Sequence, residues 1–126
     1  MKNLTIALSF LLILSFTSFA QEEPDYEMKT YYMVFLKKGQ NRSQDSTAAA
    51  NLQKGHMDNI ERLAKEGKLN VAGPFLDDGE LRGIFIMDVS SKEEAEELVK
   101  TDPAVIAGRL SYEIHPWMTA KGTCFK

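Results

Sequence analysis

The chain has 126 residues, which is room for one domain, and it carries 18 acidic side chains against 15 lysines and arginines. A net charge of −3 without a cluster of basic residues argues against nucleic acid as a partner. The single cysteine, Cys124, cannot form an internal disulfide, so the fold must depend on its core alone. We interpret Cys124 as a tail residue, with an intermolecular disulfide as the alternative.

The first 20 residues have the pattern of a secretory signal peptide. Lys2 supplies a positive charge, residues 4–16 form an uncharged apolar run, and Ser18-Phe19-Ala20 places small residues before a cleavage site. The run is shorter than the roughly 18 apolar residues of a membrane span. The sequence therefore predicts an exported protein, periplasmic or secreted, with no membrane attachment after cleavage. Residues 21–28 are acidic and contain a proline, which is typical of a flexible lead-in.

The predicted domain spans residues 29–119 and is followed by a tail at residues 120–126. It opens with a strand from Thr30 to Lys37 that is rich in aromatic and branched residues. Both faces of this strand are apolar, which is typical of a strand covered on both sides. Residues 39–46 are polar and turn-prone, and they are predicted to form a loop.

The apolar period becomes helical after this loop, and a helix is predicted from Thr47 to Glu66. Its apolar face recurs at positions i, i+4, i+8 and i+11. These positions are Leu52, His56, Ile60 and Leu63. Gly67 is a natural residue to end the helix, because glycine readily adopts the left-handed conformation found after a helix C-terminus. His56 is therefore predicted to point towards the sheet.

Two strands joined by a tight turn are predicted next, from Leu69 to Leu76 and from Leu81 to Val89. Gly73-Pro74 lies inside the first of them. Because proline donates no backbone hydrogen bond, this strand is expected at a sheet edge or at a bulge. Asp77-Asp78-Gly79 has the composition of a hairpin turn. The second of the two strands is again apolar on both faces.

The second predicted helix begins at a capping box, in which Ser91 is the N-cap and Glu94 lies three positions later. Its inward positions are Ala95, Leu98 and Val99. The helix is expected to end near Asp102-Pro103, because the residue before a proline avoids helical geometry. One further turn is expected at residues 104–107, and the last strand is predicted from Arg109 to Met118.

The order strand, helix, strand, strand, helix, strand predicts an α+β ferredoxin-like sandwich with two right-handed βαβ crossovers. Two helices then cover one face of a four-stranded antiparallel sheet. Because the first and third strands are apolar on the other face as well, that face is expected to be an association site. Closed two-fold symmetry is the default for self-association, so the sequence predicts a homodimer in which two sheets pack together.

His56 and Asp102 are the residues most suggestive of chemistry. Asp102 lies four residues after Leu98, so it is expected to leave the second helix on its inner side, within reach of His56. A carboxylate on one imidazole nitrogen fixes the tautomer and raises the basicity of the other nitrogen, which is the arrangement of a general acid or base. The alternative is a buried structural hydrogen bond without chemistry, and the pattern alone favours this alternative.

Five residues are candidates for contacts with a ligand. Gly73 and Gly108 would let the backbone approach a ligand closely, and Pro74 lies beside the first of them. Tyr31 and Phe75 would line an apolar pocket. The alternative interpretation places the aromatic residues in the core and the dimer interface, and makes Gly73-Pro74 a strand end.

Other chemical motifs are missing from the sequence. The two histidines, His56 and His115, lie on different predicted elements without a Cys/His cluster, so no metal site is expected. The sequence has no phosphate-binding loop and no dinucleotide-binding glycine pattern. It also lacks a serine nucleophile elbow. No metal or organic cofactor is therefore predicted.

Three separated motifs resemble a known family when their spacing is taken together. They are His56-x3-Ile60-x2-Leu63-x3-Gly67-x-Leu69-x3-Gly73-Pro74, Glu94-Ala95-x6-Asp102-Pro103-x4-Gly108 and His115-Pro116-Trp117. Over about residues 29–119 the chain resembles the YciI-like (YCII-related) family. The resemblance implies a ferredoxin-like dimer related to dimeric α/β-barrel proteins. It also implies an active site built on a histidine and an aspartate, here His56 and Asp102, and it favours a functional pocket over a purely structural pair.

The resemblance implies a range of reactions rather than one. One relative is a dehydrochlorinase of a chlorinated hydroxyquinol, and the wider fold includes lactone isomerases and cofactor-free oxygenases. The chain departs from the family in its signal peptide, since typical members look cytosolic, and in its loop at residues 39–46. Our first hypothesis is an exported enzyme in which His56 shuttles a proton in an elimination or isomerisation and Asp102 holds the imidazole. The alternative is a non-catalytic small-ligand-binding or structural homodimer.

Overall fold

The computed structural model describes residues 25–124. The predicted signal peptide, the first half of the predicted lead-in and the last two residues lie outside this range. The elements in chain order are β1 (Met28–Lys38), α1 (Ser46–Lys65), β2 (Leu69–Pro74), β3 (Leu81–Met87), α2 (Lys92–Val99), α3 (Pro103–Ile106) and β4 (Leu110–Ala120). Within residues 25–124, no helix is both long and apolar enough to cross a membrane.

The four strands form one antiparallel sheet in the order β2-β3-β1-β4. This is the ferredoxin-like α+β sandwich that the order of elements predicts, so the predicted fold class is confirmed. The central strands are β1 and β3, and β2 lies at an edge. The expected edge position of Gly73-Pro74 is therefore confirmed, since β2 ends at Pro74 and pairs only with β3 among the described strands.

The core lies between the sheet and the two longer helices. Strand alternation sends Val34 and Leu36 of β1 to the helix side, together with Phe85 and Met87 of β3, and each is at most 3% exposed. The helices contribute Leu63, Ala95 and Val99, which have no exposed surface. Burial of a side chain of leucine or phenylalanine size contributes roughly 1.5–3 kcal/mol, so this layer determines how α1 and α2 sit on the sheet.

The opposite face of the sheet is covered by none of the described helices, and we call it the open face. Its apolar residues include Tyr31, Met33, Phe35, Ile84, Ile86 and Trp117. Tyr31 and Trp117 are paired across β1 and β4, with ring centroids 6.5 Å apart. The two apolar faces of β1 therefore have different environments, because one meets the helices and the other is open.

The ends of the elements follow local chemistry. Ser91 is the N-cap of α2, and its hydroxyl accepts a hydrogen bond from the backbone N–H of Glu94 at 3.1 Å. Gly67 follows α1 with φ of 71°, as expected for a glycine after a helix. The predicted strand to Leu76 is too long, because β2 ends at Pro74 and Leu76 is 92% exposed in the hairpin. The turn expected after Asp102 is a separate short helix, α3.

Candidate active site

His56 lies in the middle of α1, on the side of the helix that meets the sheet. The helix begins at its N-cap, Asp45, whose Oδ1 accepts a hydrogen bond from the backbone N–H of Ala48 at 2.8 Å. Ile60 and Leu63 follow His56 on the same side and pack in the core. Because these neighbours fix the orientation of α1, the imidazole is directed inwards, and its side chain is 12% exposed.

Asp102 is the N-cap of α3, and it has no exposed surface. Its Oδ1 accepts a hydrogen bond from the backbone N–H of Ala104 at 2.9 Å. Its Oδ2 lies 2.5 Å from Nδ1 of His56. One carboxylate therefore starts a helix with one oxygen and contacts the imidazole with the other.

This contact determines which nitrogen of His56 carries the hydrogen. An ionised carboxylate can only accept, so Nδ1 donates and Nε2 of the neutral ring is the acceptor. Among residues 25–124, Nε2 makes no hydrogen bond. The ring lies nearly parallel to that of Phe85, with centroids 6.0 Å apart and an interplanar angle of 18°. The carboxylate and the phenyl ring hold the imidazole in place, which leaves Nε2 for another molecule.

Gly55 allows α1 and α3 to approach closely enough for this contact. A Cβ atom at Gly55 would lie 3.0 Å from Cγ and 3.3 Å from Cβ of Pro103. Glycine inside a helix costs about 1 kcal/mol relative to alanine. The close packing of α1 against α3 offsets this cost. It also brings His56, which follows Gly55, within reach of Asp102, which precedes Pro103.

A cavity of about 390 Å³ lies beside His56. It is bounded by α1, by the ends of β2 and β3 that meet in the hairpin, and by the segment that runs from α3 to the start of β4. Its apolar lining includes Leu36, Ile60, Ala72, Phe85 and Leu110. Small-molecule sites are clefts of roughly 300–1,000 Å³ with mostly apolar walls and a few convergent polar groups. The cavity therefore has the size of a small-molecule site, and its walls combine apolar side chains with polar groups.

A match to a known domain identifies the family of this chain. The YCII-related domain matches residues 30–118 of the chain, so most of the described region is included. The chain belongs to the YCII-related family. The predicted resemblance to this family is therefore confirmed. The uncharacterized protein YjpA of Bacillus subtilis (strain 168) is 34% identical over 67 residues, which are 53% of this chain and 76% of YjpA.

Two solved structures share the fold of this YCII-related domain. One is 5-chloro-2-hydroxyhydroquinone dehydrochlorinase from Burkholderia phenoliruptrix AC1100 in complex with 2,5-dihydroxybenzoquinone. It is 23% identical with a TM-score of 0.52, and the match covers 69% of this chain and 92% of that chain. The other is muconolactone isomerase, 14% identical with a TM-score of 0.58 over 76% of this chain and 96% of that chain. At these identities the likeness shows the fold alone.

Three of the five predicted ligand contacts line the cavity of the YCII-related domain. They are Gly73, Pro74 and Phe75, at and just after the end of β2. Tyr31 lies on the open face, because strand alternation sends it to the side opposite Leu36. Gly108 also lies outside the cavity wall, and its φ is 70°. Its carbonyl accepts a hydrogen bond from the backbone N–H of Asn41 at 2.9 Å, and this bond joins two loops. The structure therefore brings three of the five residues together at one cavity and places the other two elsewhere.

Three arginines line the cavity although no sequence motif singles them out. They are Arg42 in the loop before α1, Arg82 in β3 and Arg109 just before β4. They are 40 and 27 residues apart in the chain, so only the topology brings them together. Arg82 donates to Oδ1 of Asp78 at 2.7 Å, and this hydrogen bond holds the pKa of Asp78 below its usual range. Isolated arginines are usually solvated surface residues, so a one-dimensional pattern does not reveal such a group.

The second histidine belongs to the other side of the sheet. His115 lies on β4 beside Phe35, and its Nε2 is 2.9 Å from Glu113. Lys37 donates to Glu113 at 3.0 Å, and this bond together with that of His115 keeps the pKa of Glu113 below its usual range. In the part of the chain that the structure describes, no three His, Cys, Asp or Glu side chains form a group that could hold a metal ion.

Proposed function

We propose that this YCII-related protein is an enzyme that moves a proton on a small molecule bound in the cavity, in an elimination or an isomerisation. Nε2 of His56 accepts the proton, and Asp102 holds the imidazole in the tautomer that leaves Nε2 free to do so. One observation carries this proposal. Nδ1 of His56 lies 2.5 Å from a fully buried carboxylate oxygen of Asp102, at the wall of a 390 Å³ cavity.

The proposed step begins when Nε2 takes a proton from a carbon next to a carbonyl or a similar electron-withdrawing group. In an elimination, the electron pair of the broken C–H bond forms a double bond, and a leaving group departs from the neighbouring carbon as an anion. In an isomerisation, the electron pair shifts along the conjugated system, and the imidazolium returns the proton to a different carbon. The positive charge that forms on His56 faces the carboxylate of Asp102, which stabilises it.

The names of the two enzymes that share the fold support the choice of reaction class. A dehydrochlorinase carries out an elimination, and an isomerase carries out an isomerisation. One acid–base group serves both reactions, because each begins with removal of a proton from carbon. These enzymes are 23% and 14% identical to this chain, so we propose only the reaction class and not their substrates.

The test is exchange of carbon-bound hydrogen with solvent. The protein is incubated in D₂O with a panel of small ring lactones and hydroxyquinones, and NMR follows the replacement of C–H by C–D. This exchange reports proton abstraction even where no net product forms. The wild type should exchange at least one compound, and His56→Gln should lower that rate by roughly 10²–10⁴-fold.

His115→Gln is the matched control for this experiment. It removes the other histidine of the chain, whose side chain is 53% exposed on the open face, away from the cavity. Its exchange rate should equal that of the wild type. Equal rates in the wild type and in His56→Gln would sink the proposal.

A non-catalytic ligand-binding or structural homodimer is the second candidate, and the open face favours it. Met33, Phe35 and Ile84 are only partly buried there, and Trp117 is 37% exposed. Two copies packed through this face would remove these side chains from water. Binding of a compound in the cavity without any C–H exchange would support this second candidate over the enzyme.

We propose the homodimer for either function, and sedimentation equilibrium tests it. Phe35→Glu places a charge among the apolar residues of the open face and should give a monomer. Leu76→Glu is the control, because Leu76 is 92% exposed in the β2–β3 hairpin and its replacement should leave a dimer. A wild-type monomer at micromolar concentration, or an unchanged mass for Phe35→Glu, argues against packing through the open face.

We also propose that residues 1–20 are a signal peptide that is removed on export. The charge at Lys2, the uncharged run at residues 4–16 and the small residues Ser18 and Ala20 support this proposal. The intact mass of the protein recovered from its own cell should correspond to a chain that begins at Gln21, in a fraction outside the cytoplasm. A cytoplasmic protein with the mass of the whole chain would contradict it.

A further inference from the structure

We propose that the ligand of the cavity is a planar organic carboxylate, whose anionic group binds Arg42 and Arg109 while its ring lies over the apolar floor. This inference rests on the proposed function in that it uses the same cavity, but it does not depend on catalysis. It concerns the chemical class of the ligand, which neither the fold nor the His56–Asp102 pair determines.

The walls of the cavity are positively charged. Arg42, Arg82 and Arg109 line it, and no aspartate or glutamate of residues 25–124 does. The charge of Arg82 is balanced, because its guanidinium donates to Asp78 at 2.7 Å. The positive charge of the other two contrasts with the net charge of −3 of the chain, so it is a local property of this site.

Arg42 and Arg109 have donors to spare. Nη1 of Arg42 donates to the backbone carbonyl of Arg109 at 3.0 Å, and Nη1 of Arg109 donates to Oε1 of Gln44 at 3.1 Å. Both acceptors are neutral, and neither arginine lies within 4 Å of a carboxylate belonging to the described residues. Because a guanidinium has five N–H donors, most of them remain available to a carboxylate in a bidentate geometry.

The segments that carry these two arginines are fastened together. The backbone N–H of Asn41 donates to the carbonyl of Gly108 at 2.9 Å, and its side-chain amide donates to the carbonyl of Ala107 at 3.0 Å. A Cβ atom on Gly39 would clash with the backbone carbonyl of Gly108, so the two segments are in direct backbone contact. The loop before α1 and the turn before β4 thus hold the arginines as one unit. A fixed pair of donors loses little conformational freedom on binding.

The floor of the cavity suits a flat ring. The imidazole of His56 is nearly parallel to the ring of Phe85, and Leu36 and Ile60 complete the apolar surface. An apolar cavity of about 150 Å³ holds a benzene molecule. A volume of about 390 Å³ therefore admits one ring with its substituents, or two small fused rings.

The experiment compares an aromatic carboxylate with a neutral molecule of the same shape. The carboxylates are benzoate and trans-cinnamate, and their neutral counterparts are benzamide and cinnamamide. Each compound is titrated into the purified protein in its own oligomeric state, and backbone amide chemical shifts in NMR report binding. At about 10 mM ligand, the carboxylates should bind with a Kd of ~1 mM and shift amides along α1 and β3. The neutral amides should bind roughly tenfold more weakly, because they lack the charged hydrogen bonds.

Two arginine variants identify the groups responsible. Arg42→Gln and Arg109→Gln should each remove most of the tenfold preference while leaving the affinity for benzamide unchanged. Arg42 is exposed, so its replacement should not disturb folding. Arg62→Gln is the control, since Arg62 lies outside the cavity, where it pairs with Glu66 and donates to Asn59 and Thr101. No binding by any of the four compounds, equal binding of both classes, or a preference that survives both substitutions would each overturn the inference.

This binding test and the exchange test fail independently. His56→Gln should lose C–H exchange yet keep the preference for carboxylates, because that preference comes from the guanidinium groups of Arg42 and Arg109 and not from the apolar floor to which His56 belongs. If the wild type prefers carboxylates but neither it nor any variant exchanges C–H for C–D, this inference stands and the proposed enzymatic function is refuted. If C–H exchange depends on His56 but the protein does not prefer carboxylates, the proposed enzymatic function stands and this inference is refuted.

Discussion

Replacing Asp102 by asparagine separates the two tasks of this side chain. Asparagine keeps the Oδ1 that accepts from the N–H of Ala104 at 2.9 Å, so α3 remains capped. The atom 2.5 Å from Nδ1 of His56 becomes an NH₂ group, which can only donate. Because two donors cannot bond, the imidazole is expected to move its hydrogen to Nε2 and to accept at Nδ1. This tautomer change leaves both hydrogen bonds made, whereas a rotated amide would oppose the N–H of Ala104.

The expected energies follow from these contacts. A hydrogen bond to a charged group contributes about 1.5–3 kcal/mol and a neutral one about 0.5–1.5 kcal/mol. Asp102→Asn should therefore lower the free energy of unfolding by about 1–1.5 kcal/mol. Asp102→Ala also loses the helix cap, worth about 0.5–2 kcal/mol, so its total loss should be about 2–5 kcal/mol. The C–H exchange rate should fall by roughly 10²–10⁴-fold in both variants, because Nε2 no longer accepts in one and is not oriented in the other.

Two measurements check this prediction. Urea denaturation gives the free energy of unfolding, and ¹⁵N NMR of the imidazole distinguishes the two neutral tautomers. Asp45→Asn is the matched control, because Asp45 caps α1 through the N–H of Ala48 at 2.8 Å without contacting a histidine. Aspartate and asparagine are similar caps, so this control should change stability by less than about 0.5 kcal/mol. The same tautomer and the same exchange rate in the wild type and in Asp102→Asn would refute the orienting role of the carboxylate.

Three further predictions concern stability and packing. Lys68 donates a hydrogen bond to Glu94 at 2.7 Å, and this bond is the main reason that the pKa of Glu94 falls from an ordinary 4.5 to about 2. The stability that this pair provides is therefore present above pH 4.5 and is lost as the pH falls towards 2. The difference in unfolding free energy between the wild type and Glu94→Gln should therefore be larger at pH 6 than at pH 3, and a difference that grows on acidification contradicts this reasoning. Gly55→Ala should gain less than the ~1 kcal/mol expected for an open helix position and should slow C–H exchange, because the new Cβ displaces Pro103; a full gain with unchanged exchange would show that the close approach is unimportant. Leu63→Ala, at a position with no exposed surface, should cost about 2–5 kcal/mol in urea denaturation, and a cost below about 1 kcal/mol would mean that α1 is not anchored there.

The fold was accessible from the sequence because its signals are local and agree with one another. The helical spacing from Leu52 to Leu63, the cap at Ser91 and the proline at the edge of β2 each act within a few residues. The order of elements then admits few topologies. The predicted end of β2 at Leu76 lies beyond its observed end at Pro74. An apolar residue such as Leu76 does not reveal by itself that it lies in an exposed hairpin.

The site was only partly accessible, because it is assembled across elements. His56 and Asp102 lie beside the apolar positions of their predicted helices, so the sequence predicts that both side chains face inwards. Tyr31 could not be assigned to a face, because both faces of β1 are apolar and the pattern does not tell which one meets the helices. Arg42 and Arg109 carry no local signal, and their shared cavity arises from the contact between two loops that are distant in the chain. Long-range contacts of this kind are what a periodicity argument omits.

The double use of Asp102 has a consequence for how this site changes in evolution. A chain that loses its histidine would still need a cap for α3, so selection for folding alone would retain an aspartate or an asparagine at position 102. Among related sequences, the aspartate is therefore a poor marker of activity, and the histidine is the informative position. The reverse order of loss is disfavoured, since removing the aspartate first weakens the fold and the site together. Decay of the function should thus leave a recognisable trace, in which the histidine is lost while a capping side chain remains before the proline of α3.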